Sequence, residues 1–515
     1  MDTFRWCRRT ARLLIGLWLA YFLIIFLIRA QALLRFPFDY DQGEGYDVNS
    51  AWVLSQGGSP YASPDEYPFY SSNYPPLYAL LLAPFVGARG PQLPLGRALS
   101  LIATALTIGS IGCTVYLESG RWRPGLAAAL LFLASPYVYH TSPLARVNAL
   151  MVVLALAGVY AVSQGASEPG RRAWGWLLSA GIMSRAALYT KQMAIDAVAA
   201  ALLYLALRHR RRGLVLGSGL LSLGGILYLA LDAATRGGFS LNILWANANP
   251  FDWQQAEVYY RNFLTIHLPL VVTGTALLVL TLVRRGPRGV SAYALYFVAA
   301  LIVALGTGKW GAGESYFLSA IAAGSILVGQ ALAWVEATVD RMVPALWEKG
   351  NSRLSRAAPY CLVFLTCTVL AVQLVRYWHG PWSWPEGGLV DRGVQACVLG
   401  RTPTAEDIRA GERIVGHIAH TPGDVLAEEC AFALRAGRPV LGNTTQQLNL
   451  YEAGRHDPAA LVQALDQGKI GLVVLNAERY PAPVLDAIGR NCASVASYTI
   501  NGFAYRVLEC RRCCQ

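Results

Sequence analysis

Eleven apolar runs, separated by short arginine clusters, follow one another along most of this 515-residue chain. Nothing else in the sequence restricts the fold as strongly. A lipid bilayer admits only elements that satisfy their own backbone polar groups, so apolar runs in series mean transmembrane helices. They lie at 13–34, 95–117, 124–140, 147–163, 174–190, 192–207, 213–235, 263–283, 290–306, 314–336 and 358–377. Several are near the short end for a span. Charge content agrees: only 14% of residues are charged, against roughly 25% in soluble domains. So few charges do not coat several soluble cores. The net charge of +12 sits between the runs, where it is topology information rather than a sign of nucleic acid.

The first run is longer than the apolar core of a signal peptide and lacks a small-residue cleavage site, so it reads as an uncleaved helix. The stretch 76–87 is apolar but too short to span unaided. If it lies at the interface and the N-terminus is cytoplasmic, Arg5, Arg8, Arg9, Arg12 and the clusters at 121–123, 171–172, 208–212, 284–288 and 341–356 all fall inside. If it spans, every later cluster flips outward. The positive-inside rule favours the first arrangement. The expected fold is therefore an all-α polytopic membrane protein of about 11 transmembrane helices, spanning 1–378. A long first outer loop covers 35–94.

After residue 378 the composition becomes soluble in character. Short strands are expected at 425–428, 439–442, 471–476 and 504–508, and helices at 405–420 and 458–467. That alternation predicts a small α/β domain over 379–515, outside the membrane by the same parity. Of the ten cysteines, Cys510, Cys513 and Cys514 form a C-x-x-C tail. Without a second spaced pair it reads as incidental thiols. His417 and His420 lack a carboxylate at zinc spacing, so no metal site is read there.

The parity also gathers polar residues on one side. The loop at 35–75 is acidic and aromatic, with Asp39, Asp41, Glu44 and Asp47 near its start. Arg146, Arg185 and Lys191 lie at outer turns, as do Asp196, Asp232, Lys309 and Glu314. Ionisable groups at membrane depth are expensive and usually face a cavity or a partner. Carboxylates and cations from separate outer turns are thus expected to meet in one site. Such a site suits group transfer from a lipid phosphate. A carboxylate takes a proton from an attacking hydroxyl, while Arg and Lys hold the phosphate and stabilise charge on it as the bond breaks.

The segment Asp41-Gln-Gly-Glu44-Gly-Tyr-Asp47, followed by Asn73-Tyr74-Pro75-Pro76-Leu77-Tyr78, resembles the first outer loop of GT-C superfamily glycosyltransferases. These include aminoarabinose transferases and protein O-mannosyltransferases. The resemblance is closest to the bacterial RgtA/B/C/D-like integral membrane enzymes. It implies a polyprenyl-phosphate-linked sugar donor, an extracytoplasmic acceptor (glycan, lipid or protein) and an inverting displacement in the cell or inner membrane. The family's catalytic Asp maps most naturally to Asp41, with Glu44 as a second catalytic candidate, and Asp39 and Glu44 both stay open as the base. Many relatives have adjacent Asp-Glu here, whereas Gln42 and Gly43 intervene. Arg146 resembles the family's Arg at the outer end of the third span and Lys191 a cation near the donor phosphate, and these two are the expected donor-phosphate-binding residues. Gly313-Glu314-Ser-Tyr316 resembles an outer-turn motif of the bacterial members. Asp39, Asp47, Tyr74, Lys309, Glu314 and Tyr316 are the expected substrate-binding residues. Dependence on a divalent metal stays open.

The competing class is a transporter or lipid flippase. It would more often show internal repeats and helices broken at mid-bilayer. No repeat is evident, and the charges sit at outer ends. A scaffold presenting the outer domain ranks last, because eleven spans exceed what an anchor needs.

Overall fold

The computed structural model describes residues 2–348, 353–382 and 402–511. Each apolar run is helical. The long helices are α1 (Asp2–Arg35), α4 (Leu93–Ser119), α7 (Asn148–Ser167), α10 (Arg210–Ala234), α12 (Trp253–Arg285), α14 (Leu318–Glu348) and α15 (Arg353–Trp382). These seven are long and apolar enough to cross a membrane. The other four runs form α5 (Trp122–Ala134), α8 (Gly170–Leu188), α9 (Ile195–Arg208) and α13 (Ala292–Val303). Three of them are short and are extended by a further turn, after α5 and α13 and before α9. After α5 the chain breaks at Ser135, because Pro136 disfavours helical backbone before it, and resumes as α6 (Pro136–Thr141). The expected eleven spans thus resolve into seven full-length apolar helices and four shorter or more polar ones.

The arginine-rich turns share one end of the bundle. Arg8 and Arg121 meet Asp340 at 2.6 and 2.8 Å, and Arg12 meets Glu336 at 2.5 Å. Arg208 donates to the Val290 carbonyl and Arg212 to that of Gly165. The relative parity read from the charges therefore matches the packing.

At the opposite end the first outer loop carries α2 (Glu44–Ser55) and α3 (Leu77–Arg89). α3 occupies the ambiguous stretch. It buries Tyr78, Leu82 and Val86 against α2 and α4 and leaves Leu80, Leu81 and Phe85 exposed, as an interfacial helix does. A further excursion, α11 (Gly238–Ile243), lies between α10 and α12.

The C-terminal part contains α16 (Ala405–His420), β1 (Asp424–Ala427), α17 (Ala431–Arg435), α18 (Thr444–Glu452) and α19 (Ala459–Asp466). β2 (Ile470–Leu475), α20 (Ala482–Asn491), β3 (Cys492–Ile500) and β4 (Phe503–Cys510) complete it. One sheet runs β1-β2-β4-β3, parallel at β1–β2 and antiparallel elsewhere. α16 has a capping box between Thr404 and Asp407, which fixes its start where the sequence put it. Two expectations change. Residues 439–442 form no strand. Cys492–Ile500 does form one, although its exposed Ala and Ser positions carry no apolar alternation. Cys510 pairs with Cys492 in a disulfide across β3 and β4, so its partner is not the C-x-x-C neighbour; Cys513 and Cys514 lie outside the described residues.

This part sits on the first outer loop. Asp39 accepts from the Ala431 backbone N–H at 3.0 Å, and Tyr46 donates to the Glu428 carbonyl at 2.7 Å. Asn443 donates to the Ser71 carbonyl at 3.0 Å and Gln42 to the Thr444 hydroxyl at 3.0 Å.

Candidate active site

A cavity of about 690 Å³ lies between the outer turns and the C-terminal part. Asp41, Arg146, Lys191 and the Lys309–Glu314 turn reach it from four separate segments. Asp39, Tyr74 and Tyr316 line it as well. The expected convergence therefore occurs. Arg185, Asp196 and Asp232 do not take part. Arg185 donates to the Gly219 carbonyl, Asp196 accepts from its neighbour's N–H, and Asp232 accepts from the Ser240 N–H.

Within the acidic motif the carboxylates have different surroundings. Glu44 is fully buried and away from the cavity lining. Arg97 grips it with two bonds of 2.8 Å, and the backbone N–H groups of Ala145 and Tyr40 donate at 2.7 and 2.8 Å. Burial would push this carboxyl up, but Arg97 and the backbone donors hold it below the usual range. Arg97 also donates to the carbonyls of Leu33 and Phe38, so this pair ties the end of α1 to α4.

Asp41 is the exposed carboxylate of the motif, facing the cavity, and Arg146 lies 3.3 Å away. Asp47 is buried, also 3.3 Å from Arg146, and burial raises its carboxyl to about 7 against the pull of Arg146. The Arg146 guanidinium donates to the Tyr74 hydroxyl at 3.0 Å. It reaches this position because residue 43 is glycine: a Cβ there would fall 1.1 Å from Nη1 of Arg146. Gly45 likewise lets its N–H approach Asp39 at 2.5 Å, where a Cβ would strike Cys430 Sγ at 2.6 Å. Of the two residues that separate Asp41 from Glu44, Gly43 thus makes room for the arginine, while Gln42 reaches Thr444. Asp39 is spent on Gly45 and Ala431. Burial and nearby Glu429 push it well above the ordinary carboxyl range.

The lysines differ from Arg146. Lys191 is buried and bonds the Asn148 side-chain oxygen at 2.7 Å. It stands over the rings of Tyr316 and Tyr74 at 4.9 and 5.7 Å. Lys309 bonds the Asn247 carbonyl at 3.1 Å. Among the described residues neither has a carboxylate at ion-pair distance. Burial, with Arg146 and Lys309 nearby, lowers the Lys191 ammonium to about 7; burial lowers Lys309 too. Two cations without counterions on one cavity wall favour an anion.

Sequence reasoning did not single out His140, whose Nδ1 bonds Glu314, nor Asn148 and Asn247, which aim the lysines. His140 sits inside an apolar run, and the only local signal is the Ser135-Pro136 break before it. The C-terminal part adds Glu429, Asn476, Arg479 and Tyr505 to the lining. Glu429 accepts from Tyr505 at 2.7 Å and from Asn476 at 3.0 Å. No group of three or more His, Cys, Asp or Glu arranged to hold a metal ion occurs among the described residues. Residues 306–311 have the form G-x-G-x-x-G, but they run from the 3-10 turn Ala304–Gly308 after α13 into the outer turn, outside any β-α-β unit.

The sequence profile of the family described as dolichyl-phosphate-mannose-protein mannosyltransferase matches residues 73–234. No curated protein sequence matches the chain significantly. Among solved structures, the fold is similar to ArnT from Cupriavidus metallidurans bound to undecaprenyl phosphate. That match has a TM-score of 0.59 and 14% identity, over 96% of this chain and 97% of that one. It is also similar to the archaeal oligosaccharyltransferase AglB from Archaeoglobus fulgidus, solved with an inhibitory peptide and a dolichol-phosphate. There the TM-score is 0.54 and identity 12%, over 94% of this chain and 74% of that one. Residues 73–234 are thus similar to a lipid-phosphate-sugar-dependent mannosyltransferase family, and nearly the whole chain shares the fold of ArnT.

Proposed function

We propose that the protein moves a sugar from a polyprenyl-phosphate donor to an extracytoplasmic acceptor by a single inverting displacement. One observation carries the reading: the cavity combines an accessible carboxylate, Asp41, with two lysines that have no carboxylate at ion-pair distance among the described residues. Asp41 takes the proton from the acceptor hydroxyl as its oxygen attacks the anomeric carbon. The bond from that carbon to the phosphate oxygen breaks, and polyprenyl phosphate leaves with the electron pair. Lys191 and Lys309 hold the phosphate and stabilise its growing charge. Arg146, already opposite Asp41 and Asp47, orients the base and Tyr74 rather than binding the donor alone. Glu44 fixes the loop from behind.

The arginine-rich end of the bundle supports a cytoplasmic N-terminus, which puts the cavity and the C-terminal part outside. The Cys492–Cys510 disulfide agrees with an oxidising compartment. The undecaprenyl phosphate bound by ArnT and the dolichol-phosphate bound by AglB support a polyprenyl-phosphate carrier for the donor.

The test is transfer by purified protein from labelled polyprenyl-phosphate sugars to an extracytoplasmic glycan or lipid extract, wild type against Asp41→Asn. Loss of transfer with intact folding supports the base. Undiminished transfer removes Asp41 from that role.

A further inference from the structure

His140 and Glu314 form a pair to which the displacement above gives no task. His140 lies in α6 just past the Ser135-Pro136 break, and Glu314 opens the turn that leads into α14. Both line the cavity, and they are only 6% and 8% exposed. An ionised carboxylate has no hydrogen to give, so Nδ1 of His140 carries it toward one Glu314 oxygen. The other oxygen makes no bond among the described residues. Nε2 of His140 is buried without a partner among the described residues, and the ring packs edge-on against Tyr40 at 6.3 Å, next to Asp41 in the chain.

The placement is informative because of what Glu314 avoids. Tyr316, two residues on, lies under Lys191, yet Glu314 pairs with neither lysine; the imidazole holds it elsewhere. A carboxylate beside a phosphate anchor weakens anion binding unless it meets a group rich in hydrogen-bond donors. The group joined to the donor phosphate is the sugar, and its hydroxyls are such donors.

We propose that Glu314, oriented by His140, binds hydroxyl groups of the transferred sugar. Glu314 is then a specificity-determining residue and His140 a positioning residue. The donor class this implies is a sugar with a free hydroxyl where it meets Glu314, and analogues deoxygenated or methylated there are rejected. A hydrogen bond to a charged acceptor discriminates more than a neutral one. This proposal rests on the polyprenyl-phosphate donor reading.

The experiment measures binding of two probes to the full-length protein: sugar-free polyprenyl phosphate and polyprenyl-phosphate hexose. Glu314→Ala is expected to weaken the hexose-bearing probe roughly 10- to 100-fold and not to weaken the sugar-free probe. His140→Ala is expected to lose a similar factor. His140→Asn, whose amide N–H replaces Nδ1–H, is expected to restore most of it. If E314A folds poorly, E314Q serves instead, with a smaller loss confined to the hexose probe. Equal weakening of both probes, or none of either, overturns the sugar contact while leaving the donor reading standing. Wild-type protein that binds neither probe overturns both.

Discussion

Two acid–arginine pairs, three residues apart in one motif, have opposite characters. Glu44 and Arg97 are both sealed from solvent and joined by two short bonds, with backbone donors filling the remaining lone pairs. Asp41 and Arg146 are 3.3 Å apart, and the side chain of Asp41 is 46% exposed. A saturated, buried carboxylate has no lone pair free for a substrate proton. A half-open one does. The same sequence signature therefore divides into a brace and a working group, and only burial tells them apart.

The comparison can be broken most sharply at its open member. Asp41→Asn is expected to lower transfer by roughly 10²- to 10⁴-fold with an unchanged melting temperature; full activity would mean the wrong carboxylate has been chosen. At the sealed member the loss should appear in stability. Arg97→Met strands a buried charge, expected to cost about 3–5 kcal/mol, read as a lower melting temperature in detergent. Because Glu44 is held below its usual range, its contribution is present at neutral pH and is lost as pH falls through its folded value. If R97M melts normally but transfers nothing, the brace is in fact a reactive group.

Lys191 sharpens the picture on the donor side. Burial lowers its ammonium to about 7, and a bound phosphate would raise it. Binding of polyprenyl phosphate should then take up protons and weaken as pH climbs above about 7. Lys191→Arg should flatten that profile, and Lys191→Met should weaken binding about tenfold or more. A flat profile in the wild type would contradict the role. The smallest effect is expected from Gly43→Ala. The new methyl group displaces the Arg146 guanidinium, which should lower kcat by about tenfold and leave the melting temperature within a few degrees. Unaltered kinetics would show that Arg146 does not orient Asp41.

Much of this arrangement was legible in the sequence. Apolar runs and arginine clusters gave the helices and their parity, because lipid imposes one solution on the backbone. Polar residues at alternate turns gave the convergence of Asp41, Arg146, Lys191, Lys309 and Glu314. Burial was not legible: nothing in Asp41-Gln-Gly-Glu44 says which acid will meet Arg97, a residue on another helix. Arg185 and Asp232 looked equivalent to Lys191, yet each found a nearby backbone partner. His140 was hidden by its apolar neighbours. β3 was missed because an edge strand with exposed Ala and Ser has no alternation to read.

The contact between Asp39 and Ala431 joins residues 392 positions apart. During synthesis at roughly 5–20 residues per second, the first outer loop would wait on the order of 20–80 s for that partner. Throughout that interval the cavity would lack the wall supplied by Glu429, Asn476 and Tyr505. A nascent chain with its helices already inserted would thus be incomplete as a catalyst, and chains truncated before residue 431 would accumulate in the membrane without consuming the lipid donor pool.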